Sequence, residues 1–109
     1  MEQEQWEQAA TMFERALKKV PGEEKLGRAE CYNMMANCHS KLGEFPLALS
    51  AAIAATEQDK TSGEAWLNRG WAHGYLQQWA EAVSSLDTAL DLVGLDTEDE
   101  AIAQTWLQR

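Results

Sequence analysis

The sequence predicts an all-α solenoid of about six helices, folded as antiparallel hairpins within one domain spanning residues 1–109. Three observations carry that expectation. Apolar residues recur at spacings of three and four through most of the chain, the signature of amphipathic helices. Helix-stopping residues, among them Pro21 with Gly22, Gly43 with Pro46, and Gly94, divide this pattern into segments of helical length. The stretch from Gly63 to Leu92 also repeats an earlier one, because Trp66, Gly70, His73, Trp79, Ala82, Leu86 and Ala89 fall 34 residues after Tyr32, Ala36, His39, Phe45, Ala48, Ala52 and Ala55. A gapless repeat of that length, built of two helical periods, marks a solenoid.

Trp66, Gly70, Trp79, Ala82, Leu86 and Ala89 resemble the slots of the tetratricopeptide repeat: an aromatic, a Gly or Ala, a second aromatic, Ala, a large apolar residue and Ala. A copy of its second half lies at the N-terminus, where Trp6, Ala9, Phe13, Ala16, Leu17 and Pro21 fill the matching slots. The resemblance therefore covers most of the chain. It implies a second-helix half-repeat at 3–21, full repeats at 29–60 and 63–94, and a final or capping helix at 97–108. The sequence departs from the family pattern at His39 and His73, which stand where Tyr is usual, and at Arg69, which stands where Leu is usual. Gln77 replaces the Gly found at the equivalent turn position, Gly43.

Taken in order, the first helix is expected over Gln3 to Val20, stopped by Pro21 and Gly22, with Lys18 and Lys19 in its last turn where the helix dipole favours cations. Residues Glu23 to Gly27 form either a loop or an extra turn of the second helix, which runs from about Lys25 to Leu42. Gly43 suits a left-handed helix end and Pro46 the first turn of the third helix, which continues to about Gln58. Thr61 to Glu64 has the form of a capping box, opening the fourth helix to about Leu76. The fifth is expected over Trp79 to Val93. A second capping-box pattern, Thr97 to Glu100, opens the last.

Nine Lys and Arg against 18 Asp and Glu give a net charge of -9, which argues against a phosphate-binding surface and hence against a nucleic-acid partner. Acidity favours a neutral or basic partner. The N-terminus has neither the basic start nor the apolar run of a signal peptide, and no stretch is long enough to span a membrane. A cytoplasmic protein without membrane association is expected. Cys31 and Cys38, about 10 Å apart along one helix, are too distant for a disulfide and are read as free thiols.

No catalytic motif is present: there is no Gly-rich phosphate loop, H-E-x-x-H or nucleophile elbow. The expectation is a protein that is not an enzyme and needs no cofactor. Cys31, Cys38, His39 and His73 do not converge as a zinc site requires, since Cys38 and His39 point about 100° apart and the two His occupy separate hairpins.

In a stacked hairpin array the first helix of each pair lines an inner, concave surface. The candidate peptide-binding groove here consists of Asn33, Asn37 and Lys41 from the second helix, beside Glu30, and Glu64, Leu67, Asn68, Trp71 and Tyr75 from the fourth. Leu67, Trp71 and Tyr75 follow i, i+4, i+8 spacing on a face distinct from Trp66, Gly70 and His73. Such an aromatic stripe suits a peptide anchor, because aromatics dominate binding hot spots, and the three Asn are placed to bond to a peptide backbone. The leading expectation is thus a protein–protein interaction module that binds a partner peptide.

The alternative is an assembly scaffold. The chain starts and stops out of phase with its repeat, which favours further repeats of a longer chain or pairing with another copy. A co-chaperone role is a third reading, because some members of the family grip the C-terminal carboxylate of heat-shock chaperones. For that role Glu64 occupies a slot that would hold Lys, Asn68 one that would hold Arg, and Met34 one that would hold Asn. An acidic groove also repels a carboxylate.

Overall fold

The computed structural model describes residues 3–93. The described chain is five helices: α1 (Gln3–Lys19), α2 (Lys25–Lys41), α3 (Phe45–Gln58), α4 (Gly63–Tyr75) and α5 (Trp79–Val93). The helix expected at 97–108 lies outside the described residues. α1 packs on α2, α2 and α3 form one antiparallel hairpin, α4 and α5 form the next, and α4 lies against both helices of the first. This is an all-α stack of helical hairpins.

Sequence accounts for each boundary. In α1, Ala10 is buried and Trp6, Ala9, Phe13 and Leu17 are half-buried, while Ala16 is exposed despite its place in the periodic pattern. The residues after Pro21 resolve as a short turn closed by the Glu24 N–H donating to the Pro21 carbonyl at 3.0 Å, followed by an extra turn at the start of α2. Arg28 ties this turn back to α1, donating from Nη1 to the Val20 carbonyl at 3.3 Å.

α2 and α4 end in the same way. The Glu44 N–H donates to the His39 carbonyl at 2.8 Å and the Gly43 N–H to the Ser40 carbonyl at 3.1 Å, a pairing that requires a left-handed residue after the helix. Gly43 supplies it with φ 75°. At the end of α4 the Gln78 N–H reaches the His73 carbonyl at 2.9 Å and the Gln77 N–H the Gly74 carbonyl at 3.0 Å. There Gln77 itself takes φ 63°.

The two His that replace Tyr reinforce these ends. His39 Nδ1 lies 2.9 Å from Glu44 Oε1, and His73 Nδ1 lies 2.7 Å from Gln78 Oε1. One side-chain tie is thus built twice at the same place in successive hairpins, binding the last turn of each first helix to the start of its partner.

The start of α4 differs from the capping-box reading. The N-cap is Ser62, whose Oγ accepts the Ala65 N–H at 3.2 Å. Thr61 is unavailable, because its N–H and hydroxyl both donate to Asp59 Oδ1, at 3.1 and 2.6 Å.

The core is made of small side chains. Ala29, Ala36, Ala48, Ala51, Ala52, Ala55, Ala65, Ala72, Ala82 and Ala89 are all buried. With only a methyl between backbones, neighbouring helices approach closely and gain dispersion contacts along their lengths. At Gly70 even a methyl is excluded, since an added Cβ would lie 2.8 Å from Leu86 Cγ.

Candidate functional site

α2 and α4 lie side by side on one face, joined by Asn68 Nδ2 donating to Asn33 Oδ1 at 3.3 Å. Asn33 is only 5 % exposed. The expected groove residue is therefore part of the floor, its side-chain oxygen engaged across the helix pair. Burying an amide requires such a partner, and Asn68, half-buried, provides it.

At one end of this face Asn33 floors a depression of about 190 Å3, with Glu30 and Glu64 on its walls and Asp59 beside them. Leu26 and Met34 add apolar surface to it and are themselves exposed. The depression thus combines carboxylates with aliphatic walls. None of the described residues lining it is cationic.

The other end is aromatic. Tyr75 is 54 % exposed and its ring stacks on Phe45, with centroids 4.4 Å apart and planes 11° apart. Trp71, half-buried one turn earlier, tilts against Tyr75 at 6.3 Å between centroids. The three rings form a continuous row across the junction of the two hairpins. Phe45 is a member that helical spacing within α4 could not reveal, because it comes from α3.

The remaining predicted residues are distributed along the same pair of helices. Asn37 and Lys41 on α2 and Glu64 on α4 are exposed, and Leu67 is half-buried. Asn37 and Lys41 hold the positions in α2 that Trp71 and Tyr75 hold in α4, so α2 adds no ring to the aromatic end of the face.

Cys31 and Cys38 are free thiols, and burial pushes the Cys38 thiol above its ordinary range. Among the described residues no group of three or more His, Cys, Asp or Glu is placed to hold a metal ion. No described helix is long and apolar enough to cross a membrane.

Comparison with known proteins agrees with the geometry. Residues 33–92, more than half the chain, match the sequence profile of the tetratricopeptide repeat. No curated protein matches the chain closely enough to count as a relative. Repeats of this kind generally mediate protein–protein interaction and are typically non-catalytic. The repeated hairpins, the small residues where they touch and the matched span together place this chain in the tetratricopeptide-repeat family.

Proposed function

We propose that the α2–α4 face binds an extended segment of a partner protein. The row in which exposed Tyr75 joins half-buried Phe45 and Trp71 is the observation that carries this reading. Large, rigid aromatic surface open to solvent is the usual composition of a binding hot spot. An apolar or aromatic side chain of the partner lies on Trp71 and Tyr75, while Asn37 and the edge of Asn68 bond to its backbone. A basic side chain reaches the depression between Glu30 and Glu64, its aliphatic stem along Leu26 and Met34.

The test is a random-peptide selection on the purified chain, followed by calorimetric titration of a selected peptide. Trp71→Ala is expected to weaken binding by about 2 kcal/mol or more, roughly 30-fold, with helix content unchanged. Unchanged affinity in a folded variant would contradict the assignment.

One observation favours assembly as a second reading. Trp79 stands 34 residues after Phe45, yet it is 64 % exposed, and Val83, one turn on, is 58 % exposed. The helix expected at 97–108, a second copy or further repeats would cover Trp79 as α4 covers Phe45. Light scattering across a range of concentrations tests this directly: a persistent dimer supports the pairing of copies, and a monomer at every concentration removes it.

A further inference from the structure

A second pocket, of about 300 Å3, opens between α4 and α5. Trp66, Arg69 and His73 contribute to it from α4, and Glu81, Ser84 and Ser85 from α5. At about 100° per residue, the α4 members stand on roughly the opposite side of that helix from Leu67, Trp71 and Tyr75. The pocket is therefore separate from the face assigned to the partner segment.

Part of its polarity belongs to the second hairpin alone, although His73 and Ser84 repeat His39 and Ser50. One repeat earlier the corresponding residues are Met35 for Arg69, Leu47 for Glu81 and Ala51 for Ser85. A position that needs only an apolar filler in the first hairpin carries a guanidinium in the second.

That guanidinium is held but incompletely satisfied. Nη1 donates to Thr56 Oγ1 at 3.2 Å, and the guanidinium carbon lies 5.0 Å from the Trp66 ring centroid, a cation–π contact. Nε is sealed from solvent and has no acceptor. Glu81 lines the same pocket, yet no described ion pair joins it to Arg69. A buried N–H without an acceptor is costly, and the side-on edge of an Arg, Nε with Nη2, matches the two oxygens of a carboxylate.

We propose that this pocket is a carboxylate site. The ligand oxygens pair with Nε and Nη2 after a small turn of the Arg69 side chain, and the Ser84 and Ser85 hydroxyls lie on the opposite wall to donate to the same group. Glu81 tunes the site by repelling the incoming charge. The carboxylate reaches the pocket either as a small organic acid or as an acidic side chain of a polypeptide.

The experiment follows the Arg69 Nε–H resonance by nuclear magnetic resonance during titration with sodium acetate or a capped Ala-Glu-Ala tripeptide, with sodium chloride as the ionic-strength control. Saturable displacement by a carboxylate, absent with chloride, is expected. A tighter response to acetate assigns a small acid, and a tighter response to the tripeptide assigns a polypeptide side chain. Glu81→Gln should tighten acetate binding several-fold. Arg69→Met, which places in the second hairpin the residue the first already uses, should fold and abolish the response of the Ser84 and Ser85 amides. No displacement beyond the chloride control, or an unchanged response in folded Arg69→Met, would overturn the proposal.

Discussion

The rings of Phe45 and Tyr75 lie nearly parallel, 4.4 Å between centroids, across the junction between successive helical hairpins. Phe45 opens α3 and Tyr75 closes α4, so this contact ties the start of the first hairpin's second helix to the end of the second hairpin's first helix. Stacked aromatic pairs contribute about 0.5–1.5 kcal/mol beyond the area they bury. Tyr75→Phe should leave the urea midpoint near that of the wild type, whereas Tyr75→Ala should lose about 1 kcal/mol or more. Equal losses in the two variants would show that the hydroxyl, not the stack, matters at this position.

Gly70 and Leu86 share one volume, as Ala36 and Ala52 do one repeat earlier. A Cβ at residue 70 would meet Leu86 Cγ at 2.8 Å, Leu86 Cδ2 at 2.9 Å and the Ala82 carbonyl oxygen at 3.3 Å. Gly70→Ala should therefore destabilise by about 1–3 kcal/mol through overpacking. The same change made in Leu86→Ala should cost far less, because the pair then has the composition of the first hairpin. A double-mutant cycle in urea measures the coupling. Additive losses would contradict the shared-volume account.

Asn33 and Asn37 are one helical turn apart but have different roles. Asn33 is buried and accepts from Asn68, while Asn37 is exposed. Asn33→Ala should cost about 1–2 kcal/mol, since the loss of a buried acceptor leaves Asn68 unpaired. Asn37→Ala should stay within about 0.5 kcal/mol of the wild type, as exposed substitutions do. Chemical denaturation of the two variants checks the difference.

Gln77 holds the left-handed position at the end of α4 that Gly43 holds at the end of α2. A side chain there carries a steric cost that Gly avoids. Gln77→Gly should raise stability by about 0.5–1 kcal/mol, and Gly43→Ala should lower it by about 1 kcal/mol. A destabilised Gln77→Gly would mean that the Gln side chain makes a compensating contact.

Much of this fold is legible in the chain itself, because each of its signals is local. The five described helices begin and end within about a residue of their expected bounds, set by Pro21, Gly43, Pro46 and apolar periodicity. The left-handed turn at Gly43 follows from residue type alone. The capping assignment failed at Thr61 because Asp59, two residues earlier, captures that side chain and leaves Ser62 to cap.

The candidate face was only half visible for a related reason. Leu67, Trp71 and Tyr75 are read from spacing within one helix. The burial of Asn33 and the recruitment of Phe45 depend on contacts between residues 35 and 30 positions apart in sequence, which no single-helix pattern contains. The orphaned Nε of Arg69 is likewise a product of packing between α3, α4 and α5. Sequence shows only that Arg stands where an apolar residue is usual.

The measurement that tests the central claim most directly is an amide chemical-shift map of the chain titrated with a selected peptide. The account predicts shifts concentrated on Asn37, Leu67, Asn68, Trp71 and Tyr75, with α1 and the outer side of α5 unmoved. A footprint centred on Trp79 and Val83 would contradict it and assign binding to the exposed edge of α5.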